Sequence, residues 1–249
     1  MKKFRFKQFN VIQQNSAMKV GTDSVLLGCF AETGNAKSIL DIGTGTGLLA
    51  LMMAQKSEAE IDAVEMDEAA FEEAKENFLN SKWKERINIF HSPIQSFLDS
   101  AFLPDRQARK DRYDLIITNP PYFEHSKNYK IEDPTRSKAR QDKELSLEEL
   151  GNEIMKLISD EGKFWLILPA KESKDFEKIA TEKSLLLQKR IFIKPKRSKP
   201  VNRMVMCFGK QKQELVESEF IIYKEDGKPT EEYFELTREF LLDPLRKSE

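Results

Sequence analysis

Cysteine and long apolar runs are scarce in this sequence of 249 residues. Its two cysteines, Cys29 and Cys207, lie far apart in apolar surroundings, so we expect buried structural thiols rather than a disulfide framework or a thiolate metal site. The longest uninterrupted apolar stretch covers residues 48–54, far short of the roughly 18 residues needed to cross a bilayer. Residues 1–20 lack the apolar core of a signal peptide. We therefore expect a cytoplasmic protein without a membrane segment or a bound metal.

Glycine and proline, at 10 residues each, are too few for a collagen or a low-complexity chain, while 39% hydrophobic residues suffice for a core. The length predicts one or two domains at about 150 residues each. Because no repeat and no linker interrupts the pattern, we expect one domain over residues 38–249. An N-terminal segment, residues 1–37, would contribute to a cofactor or substrate site.

The net charge of -1 conceals a segregation of charge along the chain. Residues 1–20 carry five cations and residues 189–203 carry seven, and neither segment contains an acid. Together they carry +12, so the remaining residues carry -13. Two cationic segments on an acidic body can hold a phosphate backbone locally while the molecule as a whole stays near neutral. Two solvated loops are the alternative.

Short apolar runs alternate with longer amphipathic stretches from Ser38 onward, a pattern typical of βαβ units and a mainly parallel sheet. The predicted strands are residues 38–42, 61–64, 87–90, 113–118 and 164–168, followed by less regular strands near 185–193, 204–208 and 220–223. The predicted helices are residues 48–55, 68–81, 147–159 and 175–183, and a final one from Thr230 to Leu241. Two late strands flanking residues 194–203 predict an antiparallel hairpin with a basic tip.

A glycine-rich turn follows the first strand of this α/β pattern. It begins with Asp41 and contains Gly43, Gly45 and Gly47, which allow the backbone to approach a ligand closely. A dinucleotide, a phosphate or tight packing could each select such glycines. The carboxylate of Asp41 would repel a pyrophosphate but suits an ammonium or sulfonium group. The charge therefore favours S-adenosylmethionine (SAM) over NAD.

An acid at the end of the second strand supports a nucleoside ligand. Glu65 lies 24 residues after Asp41, where a carboxylate can accept hydrogen bonds from both ribose hydroxyls. Asp67 is a nearby alternative, and both acids could instead be solvated residues at the start of a helix. We prefer Glu65 because it directly follows the apolar run of residues 61–64.

The tetrapeptide Asn119-Pro120-Pro121-Tyr122 follows the fourth predicted strand. Proline lacks an N–H donor and favours an extended residue before it, so Asn119 and the Pro120 carbonyl can present two acceptors side by side. Two acceptors match one planar amino group, whose nitrogen gains positive charge as a methyl group arrives. Tyr122 can stack on the substrate, with Phe123 in reserve. A rigid turn at the strand exit is the alternative.

These residues resemble the class I SAM-dependent methyltransferases that carry the NPPY motif. Residues 4–9 (FRFKQF) and 18–28 (MKVGTDSVLLG) are similar to the opening of bacterial valine-tRNA (adenine-N6)-methyltransferases, and the similarity extends over almost the whole chain. The resemblance implies a Rossmann-like fold with a mainly parallel central sheet, helices on both faces and an antiparallel C-terminal hairpin. It implies methylation of adenosine 37, beside the tRNA anticodon, to N6-methyladenosine.

The resemblance also implies roles for individual residues. SAM would be bound by Asp41, Gly43, Gly45, Gly47 and Glu65, and the target base by residues 119–122. Relatives place an acid after the third strand to contact the adenine of the cofactor, whereas this chain has His91 and Ser92, so Ser92 is our substitute candidate.

The predicted mode of RNA binding relies on the exposure of anticodon-loop bases, because an exposed base can enter a pocket and stack on an aromatic ring. The candidate contacts with the anticodon stem-loop are Arg5, Lys7, Lys196, Arg197 and Lys199. The alternating Phe and cation pattern near the N-terminus more simply describes an edge strand with one buried face. We expect the enzyme to act as a monomer.

Three other functions remain open on the sequence. A protein-glutamine N5-methyltransferase and a ribosomal-RNA guanine-N2 methyltransferase face the same chemical problem at a planar nitrogen. The former usually has an N-terminal helical domain, and the latter more often a duplicated or accessory one. An inactive RNA-binding module that keeps the fold is the third, and SAM binding would distinguish it from an enzyme.

Overall fold

The protein is described by a computed structural model that covers residues 3–14, 16, 19–97, 112–120 and 145–242. Helices and strands alternate along most of the chain. The strands are β1 Lys3–Arg5, β2 Asn10–Ile12, β3 Ser38–Ile42, β4 Glu60–Glu65, β5 Ile87–His91, β6 Tyr113–Thr118, β7 Ile158–Pro169, β8 Leu186–Lys194, β9 Arg203–Gly209 and β10 Val216–Ile221. The helices are α1 Thr22–Phe30, α2 Leu48–Lys56, α3 Glu68–Leu79, α4 Ile94–Phe97, α5 Leu147–Leu157, α6 Ala170–Glu182 and α7 Glu231–Thr237.

Eight of these strands form one sheet, in the order β10-β8-β9-β7-β6-β3-β4-β5. Strand β9 runs antiparallel to both of its neighbours, β7 and β8, and the other pairings in this sheet are parallel. The predicted α/β fold with a mainly parallel sheet and an antiparallel hairpin is therefore confirmed. Because parallel strands end at a common edge, the loops after β3, β4, β6 and β7 meet there. We call this the carboxyl edge.

Side chains that alternate along the central strands form two core layers, one on each face of the sheet. On one face Ile39, Ile117 and Trp165 pack with the buried sides of α1 and α2. On the other face Leu40 and Phe164 pack with α5 and α6. The period of two along each strand explains why every central strand reads as a continuous apolar run.

Helix α2 is buried along most of its length because the sheet covers one side of it and α1 the other. Residues 48–54 are each no more than 4% exposed. Helix α1 itself was not predicted from the sequence. Its Val25, Leu26, Leu27 and Gly28 are consecutive buried positions, so it lacks the one-sided apolar pattern by which a surface helix is recognised.

Several predicted boundaries differ from the structure for local reasons. Helix α5 begins after Ser146 with the predicted capping box but ends at Leu157, because β7 begins at the next residue. Strand β7 is longer than predicted at its start. Helix α6 begins at Ala170 rather than near 175, since Pro169 stands at its N-cap and no capping side chain marks the position. Helix α7, capped by Thr230 as predicted, ends at Thr237 rather than at Leu241.

The N-terminal residues pack against the main sheet's helices as a small antiparallel pair, β1 with β2. Phe6 and Phe9 are buried and stacked on each other, and Phe9 also contacts Trp83. The alternating Phe and cation pattern therefore describes an edge strand with one buried face, as we preferred.

Two buried polar residues of α3 attach the chain that follows β2. The Glu73 carboxylate accepts hydrogen bonds from the backbone N–H groups of Gln14 (2.6 Å) and Ser16 (3.0 Å). Asn77, 2% exposed, accepts from the Ile12 N–H at 2.8 Å and donates to the Ile12 carbonyl at 3.1 Å. These bonds direct the chain along α3 toward the carboxyl edge.

Both cysteines are free thiols: Cys207 is buried and Cys29 half-buried. Burial raises the pKa of each thiol to about 12. Within the described part of the chain, no helix combines the length and apolar character needed to span a bilayer. No group of three or more His, Cys, Asp or Glu side chains in the described ranges is arranged to hold a metal ion.

Substituting Gly47 with alanine tests the packing of the turn that starts α2. Gly47 has φ +84°, and an added Cβ would lie within 2.8 Å of the Phe78 ring. Gly227 has nearly the same φ, +87°, but open space around it. Both Gly47→Ala and the control Gly227→Ala should lower the free energy of unfolding by about 1–2 kcal/mol because of the left-handed backbone. Gly47→Ala should lower it by about 1–3 kcal/mol more because of overpacking. Urea unfolding measures the difference, and equal losses would contradict the account.

Candidate functional site

A cavity of about 350 Å³ opens at the carboxyl edge of the sheet. Three parts of the chain line it: the glycine turn after β3, the end of β6, and the segment that leads into α1. The lining residues are Lys19, Val20, Gly21, Thr22, Asp23, Ser24, Gly43, Thr44, Gly45, Thr46, Leu48, Leu49 and Asn119. The glycine turn and the Asn-Pro motif, which are 72 or more residues apart in the chain, thus border one space.

The glycine turn presents its backbone to this cavity. Gly43 (φ +66°) and Gly45 (φ +57°) are left-handed, and no atom lies within 4 Å of where a Cβ would stand at either residue. A side chain at these positions would therefore be strained and would occupy the space in front of the turn. The backbone N–H groups of Gly43 and Thr44 both donate to the Val64 carbonyl, which ties the turn to the end of β4.

Asp41 lies beneath the turn and does not line the cavity. Its side chain is fully buried, and Oδ2 accepts hydrogen bonds from the Thr44 hydroxyl (2.6 Å) and the Ala50 N–H (3.0 Å). Its other oxygen, Oδ1, is buried without a hydrogen-bond partner. The carboxylate thus joins the turn to the first residues of α2 and keeps one acceptor unsatisfied.

Glu65 also holds the turn. Its Oε2 accepts a hydrogen bond from the Gly45 N–H at 2.8 Å, and its Oε1 accepts from the Met66 and Asp67 N–H groups, both at 2.8 Å. A carboxylate has about four lone-pair positions, so these three bonds leave acceptor capacity for ribose hydroxyls. Asp67, the alternative acid, caps α3 by accepting from Ala70 N–H.

Asn119 reaches the cavity from the end of β6. Its side-chain amide donates a hydrogen bond to the Ser24 hydroxyl at 2.8 Å, and the residue is 9% exposed. This bond holds Nδ2 on the first turn of α1 and so sets the direction of the amide oxygen. Pro120 follows at the edge of the described residues. Pro121, Tyr122 and Phe123 lie outside them.

The segment before α1 supplies cavity residues to which the sequence assigns no individual role, although residues 18–28 carry part of the family resemblance. Gln13 holds this segment by accepting the Val20 N–H at 2.8 Å. Asp23 forms an ion pair with Arg203 at 2.9 Å, which connects the cavity to the start of β9. The polar residues Asp23 and Ser24, just before an apolar stretch, are the sequence feature that could have indicated these cavity residues. Nothing in the local sequence indicates that they face the end of β6.

Comparison with known proteins identifies the family. The model of the methyltransferase small domain matches residues 13–143. A tRNA1(Val) (adenine(37)-N6)-methyltransferase of Christiangramia forsetii is 41% identical over 241 residues, covering 96% of this chain and 97% of that protein. One of the same name from Haemophilus influenzae is 40% identical, covering 97% and 99%. The chain belongs to the methyltransferase small domain family.

Solved structures of methyltransferases share the fold. A predicted O-methyltransferase of Agrobacterium tumefaciens superposes with a TM-score of 0.64 at 16% identity, covering 88% of this chain and 96% of that one. A putative RNA methyltransferase of Pyrococcus horikoshii reaches a TM-score of 0.51 at 20% identity, covering 74% and 79%. These likenesses confirm the class I methyltransferase architecture predicted for this chain.

Membership of the methyltransferase family confirms SAM as the cofactor. The described residues fit a ligand with a positive charge. Asp41 offers an unsatisfied buried acceptor behind the turn, and the open backbone at Gly43 and Gly45 faces a cavity of suitable size. Ser92 is close to Glu65, since its N–H donates to the Glu65 carbonyl at 3.0 Å, but its hydroxyl is bonded to the Pro93 carbonyl. The adenine contact stays a prediction.

The structure does not bring Arg5 and Lys7 to the cavity. Lys7 donates to the carbonyl of Arg238, and the neighbouring Gln8 accepts from Lys82 in the loop after α3. That loop precedes β5, so it lies at the amino edge of the sheet, opposite the cavity. Contacts between distant parts of the fold decide this position, which the local charge pattern could not reveal.

Substituting Asp41 with asparagine tests its electrostatics. Burial raises the pKa of the Asp41 carboxyl to about 7, against the opposing hydrogen bonds of Thr44 and Ala50. The unfolded carboxyl titrates near pH 4. Between these values the native state binds more protons than the unfolded chain, so the free energy of unfolding falls as pH rises from about 4 to about 7 and changes no further above it.

Because Asp41→Asn removes this titration, the variant's stability relative to wild type should rise across that window and level off above pH 7. Thermal unfolding of the two ligand-free proteins at pH 5, 6, 7 and 8 measures the change. Parallel profiles for the two proteins would show that Asp41 is ionised throughout and would contradict the assignment.

Substituting Ser24 tests the orientation of Asn119. Ser24→Ala removes the acceptor for Asn119 Nδ2, so we expect kcat to fall about tenfold, a loss of about 1.4 kcal/mol, with little change in KM for SAM. Ser24→Thr keeps the hydroxyl and should restore most of the rate. Steady-state kinetics of both variants give the answer, and equal losses in the two variants would exclude a role for the hydroxyl.

Proposed function

We propose that this protein transfers a methyl group from SAM to N6 of adenosine 37 in valine tRNA. The main structural support for this proposal is that Asn119 lines the same cavity as the glycine turn. A planar amino group held by Asn119 would thus lie near a cofactor held by the turn. The substrate is supported by the relatives named tRNA1(Val) (adenine(37)-N6)-methyltransferase, which match this chain over nearly its full length.

Asn119 and Pro120 would bind the reacting nitrogen. The Asn119 amide oxygen and the Pro120 carbonyl each accept one of its two hydrogens, which draws the nitrogen lone pair out of the adenine ring system and stabilises the positive charge that develops. SAM supplies an electrophilic methyl group on its sulfonium. The proton can leave after transfer, so the site needs no strong general base, and binding contributes mainly alignment.

The base itself would stack on an aromatic side chain. Tyr122 is our candidate and Phe123 the reserve, and Pro121 would stiffen the chain between them and Asn119. An anticodon-loop base is already unpaired and can enter a pocket at modest cost. The proposal places the reaction in the cytoplasm, with a monomeric enzyme on the anticodon stem-loop.

The proposal assigns SAM binding to residues at the turn and in the adjoining strands. Gly43, Gly45 and Gly47 would give the backbone its shape, and Glu65 would accept the ribose hydroxyls. Asp41 would act from behind the turn as a negative charge that a cation in the cavity keeps ionised. Ser92, next to Glu65, would contact the adenine. These roles rest on position and hydrogen-bonding capacity.

Substituting Asn119 with alanine tests the reacting-group contact. Removing one acceptor should lower kcat by about 100-fold or more, because the lost interaction strengthens as charge develops. SAM affinity, measured by calorimetry, should stay within a few-fold of wild type, since the turn and Glu65 are unchanged. Normal turnover by Asn119→Ala would refute the role.

Nucleoside mass spectrometry tests the substrate. Valine tRNA from a strain lacking the gene should lack N6-methyladenosine at position 37, and the wild-type gene, but not Asn119→Ala, should restore it. A methyl group lost instead from a ribosomal-RNA guanine or from a release-factor glutamine would replace the proposal with one of those activities.

A further inference from the structure

Most of the seven cations in residues 189–203 are engaged by the protein's own acids. Four of them form ion pairs with carboxylates of other segments. The pairs are Lys189 with Glu32, Arg190 with Glu177 and Glu217, Lys194 with Glu219, and Arg203 with Asp23. These four cations stabilise the junctions of the fold, so the basic character of the segment resides in the three others: Lys196, Arg197 and Lys199.

Those three cations lie on one turn, residues 196–199, at the tip of the β8–β9 hairpin. The Lys199 N–H donates to the Lys196 carbonyl at 3.0 Å, which closes the turn. Ser198, at its centre, donates from its N–H and its hydroxyl to the two oxygens of Glu225, at 3.0 and 2.8 Å. Lys196 donates to the Glu225 carbonyl at 3.0 Å. These hydrogen bonds hold the turn in a defined conformation.

The flanking residues add to its rigidity. Pro195 and Pro200 stand on either side of the turn and fix their own φ angles. The Pro195 carbonyl also accepts the Tyr223 N–H at 2.9 Å. Arg197 and Lys199 are exposed and form no ion pair within the described ranges. Cations on a prearranged backbone lose less conformational entropy when an anion binds than cations on a flexible loop.

The topology places this turn at the carboxyl edge, where the cavity opens. Strand β8 ends and β9 begins at the tip, and Arg203 pairs in register with Pro169 at the end of β7. The Arg203–Asp23 ion pair connects the start of β9 to a cavity-lining residue. Three residues lie between Lys199 and Arg203, so their Cα atoms are at most about 14 Å apart. A nucleotide in the cavity would have its neighbouring phosphates within reach of the turn.

We propose that residues 196–199 are a preformed phosphate-binding turn that holds the RNA backbone beside the cavity through Arg197 and Lys199. This inference rests on the proposed function for the identity of the RNA. The partner chemistry is a polyanion with evenly spaced monoanionic groups, which matches exposed single cations better than an acidic protein surface with scattered carboxylates. The four paired cations of the segment are excluded from this role.

A double substitution tests the turn. R197Q/K199Q removes two cations without altering Ser198 or its bonds to Glu225. Each lost phosphate contact should lower the slope of log Kd against log salt by about 0.7–0.9, so the double variant should lose about 1.4–1.8 of slope and about 25- to 60-fold of affinity at 0.1 M salt. The probe is unmodified valine tRNA, and its binding to the enzyme loaded with S-adenosylhomocysteine, which has no methyl group to transfer, is followed by fluorescence anisotropy over a salt series.

A matched control distinguishes the effect of the turn's own cations on RNA binding from the effect of a lower net charge. Lys37 and Lys212 are exposed, have no ion pair in the described ranges, and flank strand ends at the amino edge. K37Q/K212Q changes the net charge equally and should keep the wild-type slope. Equal slopes in R197Q/K199Q and the control would overturn the turn proposal. Because binding is measured without turnover, an absence of methyl transfer by the wild type would overturn the proposed function without deciding this comparison.

Discussion

The left-handed backbone of the glycine turn is the constraint on which the site depends. Three buried or nearly buried side chains hold it in that shape from different sides. Asp41 bonds Thr44 and the start of α2, Glu65 accepts the Gly45 N–H, and Asn77 donates to the Thr46 carbonyl at 2.9 Å. Without them the turn could collapse toward the cavity, since no side chain fills the space in front of Gly43 and Gly45. The burial of Asp41 raises its pKa, a cost that the ligand-free protein bears and that a cation at the site would reduce.

Asn77 also links this constraint to the cavity wall formed by residues 19–24. The same side chain that bonds Thr46 bonds the backbone of Ile12, and the neighbouring Glu73 bonds the residues just after it. The cofactor turn and the segment leading into α1 are therefore positioned by one helix. Ser24 at the start of α1 then orients Asn119, so the groups assigned to cofactor and substrate share a single framework of hydrogen bonds.

Much of this could be predicted from the sequence because the decisive signals are local. Strand β6 has the predicted bounds because its apolar run stops just before Asn119. The turn after β3 could be predicted because three closely spaced glycines indicate a backbone with left-handed φ angles. Helix α1 was missed because it is apolar on several sides. The role of Asn77 was hidden, since one polar residue in an amphipathic helix looks solvated until its distant partners are known. Arg5 is a candidate RNA contact from its cationic segment, but it pairs with Asn10 in the small β1–β2 sheet and does not line the cavity.

In the proposed reaction, the cofactor and the reacting amino group meet in the cavity between the glycine turn and Asn119. A crystal structure with S-adenosylhomocysteine and an anticodon stem-loop of valine tRNA tests it most directly. We expect the cofactor sulfur inside the cavity, facing an adenine amino group that donates hydrogen bonds to the Asn119 side-chain oxygen and the Pro120 carbonyl. A cofactor bound outside the cavity, or an adenine base held away from Asn119, would contradict it.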